Sequence, residues 1–315
     1  MRLCVLDGYT LNPGDNPWTA LAELGSLTVH DRTPAEQIVE RATGAEVVLT
    51  NKTPLDAATL ARLPELRFIS VLATGVNVVD LEAARGRNIA VSNVPVYGTD
   101  SVAQHVLALL LELASGVGVR ERSVRDGQWI GSPDFSFWER APLELAGLTF
   151  GVVGYGRIGR RVGELMEALG MHVIAAAGRD GETSDIRRVS LDKLFAISDV
   201  VSLHCPLTRE NERFVDASRL TRMKPTALFL NTARGGLVDE SALAAALREN
   251  RIAGAGLDVL AVEPMHPDCP LRDVPNCVIT PHVAWASLAA RRRLMTQTVE
   301  NVRAYRDGNP INRVV

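Results

Sequence analysis

No apolar run in this 315-residue chain approaches the roughly 20 residues that cross a bilayer, so no membrane partner is expected. Cysteine is scarce: Cys4, Cys205, Cys269 and Cys277 form no C-x-x-C pair and no ligand-like grouping with histidine. That argues against a zinc site, any other metal centre and a disulfide framework. Excess charge of one sign is missing too, since 34 Lys and Arg stand against 37 Asp and Glu, a net −3 spread along the chain. Such a balance suits neither nucleic acid nor an anionic membrane surface. The opening MRLCVLDGYT begins directly on a strand-like run, with no leader-like pattern. With the unpaired cysteines, this sets the expectation of a cytoplasmic protein.

Glycine is where the sequence becomes specific. Between Gly147 and Gly159 it reads GLTFGVVGYGRIG, in which Leu148 to Val153 is a short β-branched run that suits a strand buried on both faces. Ile158, Val162, Leu165, Met166 and Leu169 then recur at helical spacing. A strand, a turn with Gly154, Gly156 and Gly159, and a helix N-terminus are what a dinucleotide pyrophosphate requires: a tight turn, close backbone approach, and close helix–strand packing. Tyr155, Arg157 and Ile158 fill the positions between and beside these glycines. Without its flanks, the motif would equally describe a structural glycine turn.

Length alone suggests two domains of about 100–200 residues. Before the motif, short apolar runs at Leu3–Leu6, Leu27–Val29, Val47–Leu49, Phe68–Leu72 and Ile89–Val91 alternate with helical segments, which predicts a parallel sheet covered by helices. Ligands in such sheets sit beyond the carboxyl ends of strands. Lys52 and the loop of Thr74, Gly75 and Val76 fall there, offering a positive charge and backbone N–H groups to a carboxylate; the alternatives are a solvated lysine and an ordinary turn. SNVPVYGTD (Ser92 to Asp100) reads as the connection to the second domain, and Ser101 to about Gly127 as one long helix. A loop with Phe135, Phe137 and Trp138 follows, an apolar surface suited to a homodimer or to packing on its own chain. After the motif, strands are expected at His172–Ala176, Val200–Leu203, Leu228–Asn231, Ala253–Asp258 and Val278–Ile279, with a final helix at Ala286–Arg306 returning to the first domain.

Three polar side chains fall where strands end: Arg234 in NTARGG, Glu263 in LDVLAVEP and His282 in TPHVAW. An arginine can pair a carboxylate bidentately, a histidine can donate a proton near neutral pH, and a glutamate beside it would orient the ring and favour its protonated form. Taken singly, the plainer readings are favoured: a surface ion pair for Arg234, a helix-capping acid for Glu263 and a core histidine for His282.

Together with ATGVNVVD (Ala73 to Asp80), SVAQHVLALLLEL (Ser101 to Leu113), GYGRIG, SLHCPLT (Ser202 to Thr208), NTARGGLVDE (Asn231 to Glu240), GAGLDVLAVEP (Gly254 to Pro264) and TPHVAW (Thr280 to Trp285), nearly the whole chain resembles the D-isomer-specific 2-hydroxyacid dehydrogenase family. TNKTPL, FSFW and PHVAWAS look most like its glycerate dehydrogenase or hydroxypyruvate reductase branch. The resemblance implies an α/β enzyme: a flavodoxin-like substrate domain at 1–98, completed by 286–315, and a Rossmann-type doubly wound parallel sheet at 99–285. It implies that Arg234 binds the substrate's carboxylate and carbonyl, that His282 is the acid/base tuned by Glu263, and that Cys205, Pro206, Thr232, Ala233, Arg234 and Asp258 line the nicotinamide half of the cofactor. The substrate would be a small 2-keto or 2-hydroxy acid. A D-lactate or phosphoglycerate-type dehydrogenase, and a dinucleotide-sensing corepressor of the same fold, are the other readings.

The cofactor is read from MHVIAAAGRDG. An NAD site places an acidic residue at the end of the second strand to bind the adenosine ribose, and here that place falls on Ala177, followed by Gly178 and Arg179. A missing carboxylate and a guanidinium two residues on favour the 2′-phosphate of NADP over NAD. A shifted turn would instead give Asp180 the ribose role and leave Arg179 in solvent.

Overall fold

The computed structural model describes residues 1–177 and 186–315, and the chain divides into two compact units, Met1–Gly98 with Trp285–Val315, and Thr99–Ala284. Gly178 and Arg179 lie outside the described residues.

In the first unit β1 (Arg2–Val5), β2 (Ser26–Val29), β3 (Val47–Thr50), β4 (Phe68–Val71) and β5 (Ala90–Ser92) form a sheet in the order β2-β1-β3-β4-β5, with every pair parallel. Each residue of β3 and β4 is buried, as a sheet covered on both faces demands. Helices Ala57–Ala61 and Leu81–Gly86 begin at Asp56 and Asp80, whose carboxylates accept the N–H groups of Thr59 and Ala83. The final helix, Leu288–Arg306, buries Leu294, Met295, Val299 and Val302 against the same core. Tyr305 stacks on Phe68 of β4 with ring centroids 4.5 Å apart and planes 4° from parallel. Arg291 of this helix, itself buried, holds the loop after β1 through a bidentate pair with Asp15 at 2.5 and 2.7 Å. Trp285, expected at the end of the second domain, groups with the first unit, where its indole packs edge-on against Tyr97 at 6.2 Å.

The second unit holds β6 (Thr149–Val153), β7 (His172–Ala176), β8 (Arg187–Val189), β9 (Val200–Leu203), β10 (Leu228–Asn231), β11 (Gly254–Leu257) and β12 (Cys277–Ile279). Their order is β12-β11-β10-β9-β6-β7-β8, all parallel, with the direction of winding reversed between β6 and β9. That is a doubly wound sheet, and its switch point lies beside the glycine turn. β8 has no counterpart in the sequence expectation, because three residues with two arginines on an edge carry no apolar signal.

The expected single helix from Ser101 to Gly127 is two helices, Thr99–Ser115 and Val117–Arg125, bent by 54°. Gly116 between them adopts φ 56°, the left-handed conformation that ends a helix. Among the described residues no single helix is long and apolar enough to cross a membrane.

Truncating the fully buried Phe68 removes both its sheet contacts and the stacking of Tyr305. Phe68→Ala should cost about 3–5 kcal/mol of stability, read as a lowered urea midpoint.

Candidate active site

The three glycines of the turn after β6 serve three different needs. Gly154 sits at φ 98°, and a Cβ there would lie 2.6 Å from the Cys205 backbone nitrogen. At Gly159 a Cβ would come within 2.3 Å of the Gly154 carbonyl oxygen, so the helix packs on the turn only without it. Around Gly156, in contrast, an added Cβ would meet no atom within 4 Å. Gly156 is the N-cap of the helix Arg157–Ala168 and supplies no side-chain cap, so an open backbone face meets a helix N-terminus. A pyrophosphate fits those demands. Tyr155 turns along the helix, its ring 3.3 Å from the place of a Cβ on Gly163 and 5.3 Å from the Arg160 guanidinium. Arg157 and Ile158 form the first turn. At the end of β7, Ala177 is exposed and donates its N–H to the Val189 carbonyl; no carboxylate stands at that position.

The polar side chains gather at the ends of β10, β11 and β12, three neighbours in the sheet. After β10, the Asn231 side chain ties the turn by accepting the Ala233 N–H at 3.0 Å and donating to the Arg234 carbonyl at 2.9 Å. Arg234 is thereby presented outward, exposed, with Nη1 donating to the Ala233 carbonyl. The hydroxyl of neighbouring Thr232 is buried with no hydrogen-bond partner in the protein, as a ligand-facing donor would be.

β11 runs into Asp258, 1% exposed, whose carboxylate organises the segment after β12. It accepts the Thr280 hydroxyl at 2.6 Å and the N–H groups of Val283 at 2.9 Å and Ala284 at 2.8 Å. Burial opposes its ionisation, but the hydrogen bonds from His105, Thr280, Ala284 and Val283 outweigh it and hold the carboxyl below its ordinary range. Between those anchors His282 adopts φ 53° and donates its N–H to the Asp258 carbonyl at 2.8 Å. Its Nδ1 lies 2.6 Å from Glu263 Oε2, and the other Glu263 oxygen accepts the Leu260 N–H at 3.0 Å. Glu263 therefore orients an imidazole and caps no helix. With Nδ1 taken by the carboxylate, Nε2 is the nitrogen left for chemistry.

The neighbouring titratable groups are quiet. Burial lowers His204 to about 4, so its ring is neutral near pH 7 and bonds Ser202 Oγ at 2.9 Å. Burial raises the Cys205 thiol and keeps it protonated. The Pro206 carbonyl accepts from Asn211.

In the first unit, Lys52 lies beyond β3 and Thr74, Gly75 and Val76 beyond β4. The Asp7 carboxylate collects the N–H groups of Asn51, Lys52 and Thr53 at 2.5–2.8 Å and so shapes the lysine's turn, beside a cleft of about 310 Å³. The Thr74 hydroxyl donates to the Val94 carbonyl and fixes the other loop. Among the described residues, the N–H groups of Gly75 and Val76 find no acceptor. Neither Asp7 nor Thr280 was given a role in the sequence reading: Asp7, preceding Gly8 at a strand end, carried a usable signal, whereas Thr280 has meaning only through Asp258.

Comparison with known proteins identifies the family and the fold. The family model for the NAD binding domain of D-isomer specific 2-hydroxyacid dehydrogenases matches residues 107–284. A hydroxypyruvate reductase of Blautia hydrogenotrophica is 43% identical over 320 residues, covering 100% of this chain and 99% of the relative. A glycerate dehydrogenase of Methylorubrum extorquens is 43% identical over 283 residues, covering 89% and 88%. The crystal structure of the TT0316 protein from Thermus thermophilus superposes with a TM-score of 0.88 at 39% identity over the full length of both chains.

The glycine geometry yields a discriminating test. Gly156→Ala meets nothing in the protein, so it should keep the thermal midpoint while weakening binding of the reduced nicotinamide dinucleotide about tenfold, ~1.4 kcal/mol, by fluorescence titration. Gly159→Ala should lower both.

Proposed function

The chain belongs to the D-isomer specific 2-hydroxyacid dehydrogenases, and we propose that within this family it reduces hydroxypyruvate and glyoxylate, with NADPH as its preferred donor. It is an oxidoreductase that uses a nicotinamide dinucleotide and acts on small 2-keto or 2-hydroxy acids. The observation that carries the proposal is the His282–Glu263 pair at the sheet's carboxyl edge, at the end of the strand next but one to that of Arg234. When bound, the reduced dinucleotide would supply the hydride for the substrate's C2. Gly154, Tyr155, Gly156, Arg157, Ile158 and Gly159 are assigned to its pyrophosphate, and Cys205, Pro206, Thr232, Ala233 and Asp258 to its nicotinamide half. Arg234 pairs the substrate carboxylate and polarises the keto oxygen. His282 donates its Nε2 proton to that oxygen, and Glu263 at Nδ1 balances the charge on the ring. Lys52 and the N–H groups of the loop Thr74–Val76 are assigned to substrate binding from their strand-end positions.

The substrate preference is supported by the two relatives named hydroxypyruvate reductase and glycerate dehydrogenase, each 43% identical to this chain over the aligned residues. The NADPH preference is supported by Ala177, which can accept no ribose hydroxyl and repels no phosphate, and by Gly178 and Arg179 in the sequence after it. A homodimer accounts for the exposed apolar stretch of Val117, Val119, Trp129, Ile130, Phe135 and Trp138, and the four free cysteines suit the cytoplasm.

Glyoxylate, hydroxypyruvate, pyruvate and bulkier keto acids, each assayed with both reduced cofactors, test this reading. Hydroxypyruvate and glyoxylate should give the highest kcat/KM, and a bulky keto acid in first place would refute it. His282→Ala should lower kcat about 10²-fold or more. The NADPH-to-NADH ratio of kcat/KM, measured at fixed ionic strength, should exceed one and fall toward parity in Arg179→Ala.

A further inference from the structure

We infer that His105 is a positioning residue for His282, acting through the Thr280 hydroxyl and the Asp258 carboxylate; the inference rests on His282 being the acid of the reaction. His105 lies on the helix Thr99–Ser115, among the buried Val102, Val106 and Leu109. Its Nε2 is 2.9 Å from Thr280 Oγ1 and 3.4 Å from Asp258 Oδ1.

The direction of these bonds follows from what each atom can do. An ionised Asp258 only accepts, so the 2.6 Å contact makes the Thr280 hydroxyl the donor. The Thr280 oxygen then has only lone pairs to offer, and His105 must supply Nε2–H. The chain runs from His105 to Thr280 to Asp258, and it fixes the imidazole tautomer.

Its consequence falls on His282. Thr280, Val283 and Ala284 all bond the Asp258 carboxylate, and they flank His282 on both sides in sequence. His282 is held at φ 53°, a backbone region in which a non-glycine residue persists only where its surroundings fix it. The Thr280 hydroxyl also has a competing acceptor, the Leu257 carbonyl at 3.5 Å. Without the His105 proton the hydroxyl is free to turn to that carbonyl, leaving Asp258 with one donor fewer and the His282 segment with a looser anchor. A histidine that merely filled space would show none of this coupling.

The test uses the full chain with hydroxypyruvate and NADPH. His105→Leu should lower kcat about tenfold or more while KM for the keto acid stays within about twofold, because misplacing the acid affects the chemical step more than ground-state binding. His105→Gln, whose side-chain amide can donate as Nε2–H does, should recover kcat to within about threefold of the parent. Thr280→Val breaks the same link from the other end, so the double variant His105→Leu/Thr280→Val should be no slower than the slower single variant. The imidazole ¹H–¹⁵N signals of His282 should move in His105→Leu and return in His105→Gln. Parent-like kcat with unmoved His282 signals in His105→Leu overturns the inference, as do equal losses in the Leu and Gln variants or additive losses in the double. If His105→Leu fails to fold, His105→Gln and Thr280→Val decide: a slow Gln variant or a Thr280→Val enzyme at parental rate overturns it. Failure of the parent protein to reduce any 2-keto acid would instead sink the proposed substrate, and the His282 signals would still report the coupling.

Discussion

A parallel sheet ends all its strands on one edge, and the chemistry of this protein depends on that constraint. Asp258 and Thr280 directly follow β11 and β12, and Arg234 stands three residues beyond β10, so residues separated by 24 and 22 positions in sequence are delivered to adjacent strand ends. The glycine turn leaves the same edge from β6, two strands from β10. Backbone pairing thus concentrates the polar groups at neighbouring strand ends. What remains for local interactions is orientation.

Orientation comes from carboxylates that are spent on backbone. Asp258 accepts two N–H groups and a hydroxyl, Asp7 three N–H groups, and one oxygen of Glu263 an N–H. Each fixes a loop that carries a proposed functional side chain, and Asp258 does so while buried. A buried carboxylate without such donors would instead take up a proton and release the loop.

The strand–glycine–helix unit and the alternating strands were legible because periodicity and glycine spacing are local properties, whereas Arg234, Glu263 and His282 were singled out by their motifs and their roles remain proposals. GLTFGVVGYGRIG gave its strand and its turn together, and the strands expected at His172–Ala176, Val200–Leu203 and Leu228–Asn231 have those bounds in the structure. The single helix through Gly116 was wrong because apolar spacing continues across the break, while the left-handed turn depends on one glycine among several. β8 was invisible, being three residues of an edge strand. His105 was read only as one letter of an apolar helix, since nothing in the sequence joins it to Thr280, 175 residues on. Partners set by tertiary structure leave no periodic trace.

The electrostatics of the strand ends narrow the choice of acid. His204 is neutral because burial lowers it to about 4, and the Cys205 thiol is kept protonated by the same effect with opposite sign. Asp258 is ionised but saturated by donors. His282 differs from all three: its Nδ1 is paired with a carboxylate that can stabilise a positive ring, while Nε2 has no protein partner among the described residues. A proton delivered to a keto oxygen must leave a group that is both charged when needed and open on one side. At this edge of the sheet, the proposed assignment of that role to His282 is in keeping with a backbone held at φ 53° and a ring that is not buried.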